Sequence, residues 1–131
     1  MKVRCKPNSV GGPDKKDIAY IVYAMLICKG SVKYLLAEEE DEPFWYPANI
    51  FEVVDSLLPI IWYFSFKGYD HYDSKDPDYA IYPVTVIWGY KEMIFDPEHR
   101  IDLIECEPEA LEIFKKRKEE IDEYEELRAQ K

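Results

Sequence analysis

Ile18 to Ala37 reads IAYIVYAMLICKGSVKYLLA, two apolar runs on either side of Lys29-Gly30. A glycine-containing pair between two such runs predicts a β-hairpin. The first run, Ile18 to Cys28, has no polar interruption. Tyr20, Val22, Ala24 and Leu26 would lie on one face of a strand, and Ile21, Tyr23, Met25 and Ile27 on the other. A strand apolar on both faces is expected at the centre of a sheet that is covered on both sides. The second cover must then come from later in the chain.

Working outward, Met1 to Lys6 alternates Val3 and Cys5 with Lys2, Arg4 and Lys6. This predicts a short edge strand whose lysines discourage sheet-to-sheet pairing. Asn8 to Lys16 contains Gly11, Gly12 and Pro13 and reads as a loop. Five acids in succession, Glu38 to Glu42, form a solvated turn after the hairpin. Phe44-Trp45-Tyr46-Pro47, entered through Pro43, reads as an extended segment at a sheet edge. Ile50 to Asp55 fits either a helical turn or a short strand. Ile60 to Phe66 and Pro83 to Trp88 read as strands, separated by an Asp- and Tyr-rich loop from Gly68 to Tyr79.

The remainder reads as helical. Asp96-Pro97 supplies a capping carboxylate before a proline at the first helical position, which predicts a helix from Pro97 to about Glu105. Pro108 opens a second. Ala110, Ile113, Phe114, the stem of Arg117, Ile121, Tyr124 and Leu127 or Arg128 fall near one face of it, the expected cover for the sheet. Its acid-rich last turns, Glu119 to Glu126, are expected to project beyond the sheet or to fray. The fold class is thus α+β, a strongly bent antiparallel sheet or an SH3-like small barrel of five to six strands under a C-terminal helix. We expect one domain over residues 1–131, with a β-rich core at 2–90 and a helical segment at 96–128.

With 47% apolar and 15% aromatic residues, the chain has material for a packed core. Its formal charge is −10, unevenly spread: residues 1–16 hold five bases and one acid, leaving 12 bases against 26 acids elsewhere. Such a surface repels phosphate backbones, so direct binding of nucleic acid is not expected, and a basic protein is the favoured partner. Cys5, Cys28 and Cys106 are odd in number and unpaired in spacing, which suits a reducing cytoplasm. The Ile18 to Cys28 run falls short of the roughly 20 apolar residues that span a bilayer, so no membrane partner is expected.

Candidate chemistry is sparse. His71 and His99 are the only histidines and have no metal-ligand spacing. The Asp cluster after Asp70 departs from a calcium loop, because Tyr72 and Lys75 stand where an oxygen ligand and glycine are required. Glu105 and Glu107 beside Cys106 oppose a reactive thiolate. Phosphate-loop, serine-hydrolase, zinc-protease and dinucleotide motifs are absent. Neither an enzyme nor a metal or other cofactor is therefore expected.

Binding is the remaining chemistry. The acidic loops sit beside aromatic residues that commonly anchor interfaces. The candidate partner-binding residues are Glu39, Glu40, Asp41, Glu42 and Trp45 in the first loop region. In the second they are Asp70, Tyr72, Asp73, Asp76, Asp78 and Tyr79.

Phe44-Trp45-Tyr46-Pro47, the segment Phe51 to Asp55 and the closing Trp88-Gly89-Tyr90-Lys91-Glu92 carry a resemblance of type. A short, acidic, mostly β chain with these features resembles the immunity proteins that bacteria make against their own toxins. Residues 2 to 90 are also similar to SH3-like barrels. The resemblance implies stoichiometric inhibition of a basic toxin domain, often a nuclease, with the acidic loops as the binding surface. Two other readings stand beside it: an SH3-like module for basic, proline-rich peptides, and a structural subunit of a bacterial or phage assembly.

Overall fold

The structure, a computed structural model, describes residues 1–38, 42–66 and 84–130, with the backbone alone at 84 and 85. Eight strands and three α-helices lie among the described residues. The strands are β1 (Lys2–Cys5), β2 (Tyr20–Ile21), β3 (Ala24–Cys28), β4 (Ser31–Ala37), β5 (Pro43–Pro47), β6 (Phe51–Asp55), β7 (Tyr63–Phe66) and β8 (Val84–Gly89). They are followed by α1 (Lys91–Phe95), α2 (Pro97–Ile104) and α3 (Pro108–Ala129). The class is α+β, as the residue patterns predict.

The strands divide into two antiparallel sheets, β2-β1-β6 and β5-β4-β3-β8-β7, and neither closes into a barrel. The expected uninterrupted strand over residues 18–28 is what divides them. Val22 N donates to Met1 O at 3.0 Å, while the next residue, Tyr23, donates to Leu35 O at 2.9 Å. Consecutive residues therefore bond to different sheets, and the chain crosses between them without a polar break. Val22 and Tyr23 are both buried, in different cores.

β3 is the central strand of the larger sheet; its helix-facing residues are buried, while Met25 and Ile27 on the other face are half-buried, so the second face is covered less fully than the apolar alternation predicts. Ala24, Leu26 and Cys28, with Leu35 of β4 and Ile87 of β8, pack against Met93, Leu103, Ala110, Phe114 and Ile121 of the helices. On the opposite face, Tyr34, Leu36 and Tyr46 meet Val3, Cys5, Tyr20 and Phe51 of the smaller sheet. The second cover is thus the N-terminal sheet as well as a helix.

Several local expectations hold. The β3–β4 turn places Lys29 and Gly30 at φ 50° and 76°, the left-handed pair that a two-residue hairpin uses. β5, flanked by Pro43 and Pro47, is an edge. Of the two readings of Ile50 to Asp55 the strand holds, as β6, entered through a 3-10 turn at Ala48–Ile50. Asp96 caps α2, its carboxylate accepting from His99 N at 3.3 Å.

Others need correction. β1 is the middle strand of its sheet, paired on both sides, because Val3 and Cys5 turn inward onto Tyr20 and Phe51. Residues 60 and 61 form a turn, so β7 begins at Tyr63. α1 fills the interval before Asp96. On α3, Leu127 is 55% exposed, while Glu125 is 2% exposed. Glu125 accepts from the Met1 amine at 2.6 Å and pairs with Arg128, which also holds Asp55 at 2.7 Å. The end of α3 is therefore anchored to the chain start beside β1 and to the end of β6. No helix among the described residues is long and apolar enough to cross a membrane.

Candidate functional site

The β4–β5 register pairs Ala37 with Pro43, so Glu38 and Glu42 flank the mouth of the connecting loop. Alternation along β5 then separates its aromatics. Phe44 and Tyr46 point to one face, their ring centroids 5.0 Å apart. Trp45 points to the other and packs, half-buried, against the helix-side core.

Glu38 is held in place from two sides. Asp14 N, from the N-terminal loop, donates to one carboxylate oxygen at 2.6 Å, and the Tyr46 hydroxyl donates to the other at 2.8 Å. Burial, with the Glu38 carboxylate next in importance, raises the Tyr46 hydroxyl well above its ordinary pKa, so it remains a donor. Tyr20 is raised too, first by burial and then by Glu38. Burial leads both shifts, and the Glu38 carboxylate adds to each.

Asp14, Glu38 and Glu42 line a cleft of about 520 Å³ with Phe44 and Tyr46. Pro43, Cys106 and Leu111 complete its described wall, which contains no lysine or arginine. Three carboxylates and an aromatic side chain 62% exposed, Phe44, make a site for a cation with an apolar stem.

Of the sequence candidates, Glu42 lies at this cleft, exposed, and Trp45 lies behind it. Glu39, Glu40 and Asp41 fall outside the described residues, as do Asp70, Tyr72, Asp73, Asp76, Asp78 and Tyr79 of the second loop, and His71. Glu38, Phe44 and Tyr46 belong to the acidic and aromatic stretch that the sequence singles out but not to its partner-binding candidates, and Asp14 is outside both. Period-two alternation would have grouped Phe44 with Tyr46. Asp14 reaches the site by a loop contact that leaves no local signature.

The basic N-terminal excess gathers elsewhere. Arg4, Lys6 and Lys16 line a second cleft of about 520 Å³ with Asp17 and Glu52, and Arg4 is bound to Glu52 at 2.8 Å. His99, 3% exposed, sits inside the helical layer with its Nε2 2.7 Å from the Tyr90 hydroxyl. Burial lowers its pKa, and no described carboxylate bonds to its ring. Among the described residues, no cluster of His, Cys, Asp and Glu has the makings of a metal site. Cys5 and Cys28 are buried free thiols and Cys106 an exposed one.

Compared with protein-family models, curated proteins and solved structures, the chain matches none.

Proposed function

We propose that this chain is an immunity-type inhibitor, acting in the cytoplasm, that neutralises a basic toxin domain by stoichiometric binding. The observation that carries the reading is the convergence of Asp14, Glu38 and Glu42 on exposed Phe44 in one cleft. A lysine or arginine of the partner enters this cleft, its charge met by the carboxylates and its stem by the Phe44 and Tyr46 rings. The acidic body steers a basic partner to the face and raises the association rate. Tightness comes from aromatic area that becomes desolvated. If the partner is a nuclease, the same charge keeps its nucleic acid substrate away.

The reading expects a basic toxin domain encoded beside this chain, and the test purifies the product of the adjoining reading frame with and without it. A one-to-one complex that abolishes the partner's activity, and that Phe44→Ala weakens by about 2 kcal/mol as an interface anchor, supports the reading. Equal inhibition by wild type and by a Glu38→Lys, Glu42→Lys, Phe44→Ala triple variant rules the cleft out. The pairing of carboxylates with the Phe44–Tyr46 rings at a sheet edge also favours a second reading, a module for basic proline-rich peptides. Saturable micromolar binding of such a peptide, lost in the same variant, would select that reading.

A further inference from the structure

The two edges of the larger sheet are built differently. β5 is closed off by Pro43 and Pro47, which withhold ladder donors. β7 carries no proline, no charge and no register shift against β8. Among the described residues it pairs with β8 alone. Such an edge is a template for another strand.

Its three aromatic side chains are exposed. Ser65 lies opposite Ile87, which is buried under the helices, so Phe64 and Phe66 project from the opposite face. They are 58% and 65% exposed. On the helix side, Tyr63 stacks edge-on to Phe95, itself 64% exposed, at 5.3 Å. At roughly 200 Å² per aromatic side chain, the three phenylalanines on the two faces of this edge expose about 370 Å². Tyr63 and the exposed Ile60 and Ile61 enlarge this beyond the few hundred Å² usual on a monomer, towards the roughly 800 Å² per partner of a stable interface.

Charge selects the occupant. Residues 56–66 contain no charged side chain, in a chain that is 34% charged. A basic partner gains no ion pair from this strand, and a like-charged copy meets no repulsion from it. We propose that two copies of this chain associate through β7, paired antiparallel about a two-fold axis at Ser65. In that register Phe64 of each copy stands opposite Phe66 of the other on the same face, giving two aromatic cross-strand pairs. The two sheets join into one, and the acidic cleft at β5 stays at each outer end.

Sedimentation of the full chain over a micromolar concentration series tests this. A reversible dimer is expected, with Phe66→Lys weakening it at least tenfold while the circular dichroism spectrum is unchanged. Because the axis places Ser65 against its own copy, Ser65→Cys in a Cys106→Ser background should form a covalent dimer on mild oxidation. Glu42→Lys should leave dimerisation unaltered, which separates this contact from the proposed inhibitor site. A chain monomeric throughout the series overturns the proposal. So does a dimer that is indifferent to Phe66→Lys and gives no Ser65→Cys cross-link.

Discussion

At the scale of single residues, two buried ionisable groups are held in different ways. Glu125 pairs with both the Met1 amine and Arg128. Glu125→Ala leaves the buried Met1 amine without its carboxylate and Arg128 with Asp55 alone. A loss of about 3–5 kcal/mol is expected, read from urea denaturation midpoints, as for a buried pair that loses one member. His99 must stay neutral, since burial lowers its pKa from an ordinary value of 6.5. The unfolded chain then takes up the proton more readily than the folded one, so stability is full above about pH 6.5 and falls as pH drops through the lowered value. The arginine hydrogen bonds that lower Glu92 and Asp55 place their titration below the ordinary carboxylate range, clear of this window. Urea midpoints measured from about pH 7 to pH 5 should decline in wild type and flatten in His99→Gln. A wild-type curve flat over that window would contradict the assignment. Neither residue's role is legible in the sequence. Glu125 stands among six acids in the last turns of α3 and looks solvated until its partner from the other end of the chain is known.

At the scale of elements, turn chemistry and alternation carry the legible part of the fold. Lys29-Gly30 marks the hairpin because few pairs take up two left-handed conformations, and Asp96-Pro97 marks α2 because a cap needs that order. The sheet crossing at Val22 and Tyr23 was not legible, since both residues are buried and apolar, and periodicity registers burial without distinguishing which sheet supplies it. The place of β1 in the middle of its sheet was hidden for a related reason. Exposed Arg4 reads as an edge residue, yet it is tied to Glu52 of the neighbouring strand. Gly89 illustrates a constraint set by packing between elements. A Cβ added there would lie 2.9 Å from the Ala24 Cβ and 3.2 Å from Met93 Cγ, where β8 passes between β3 and α1. Ala24 moves only with its strand, so Gly89→Ala should cost about 1–3 kcal/mol through overpacking, seen as a lower melting temperature. A melting temperature equal to wild type would mean that β3 and α1 are more loosely fitted than their contacts indicate.

At the scale of the whole molecule, charge was readable and its placement was not. The sequence predicts an acidic body with a basic beginning, and the structure gathers Arg4, Lys6 and Lys16 in one cleft and Asp14, Glu38 and Glu42 in another. Asp14 belongs to the basic segment yet joins the acidic cleft, because its backbone N–H is bound by Glu38. Trp45, the most conspicuous aromatic of its segment, turns to the helices and leaves Phe44 as the exposed ring. The account rests on that cleft receiving a cationic group. The most direct measurement is the affinity of the proposed basic toxin domain, sought as the product of the adjoining reading frame, for wild type and for a Glu38→Lys, Glu42→Lys variant across a salt series. The account predicts weaker binding and a shallower dependence on salt in the variant, with slower association responsible for part of the change. Equal affinity and an equal salt slope would contradict it.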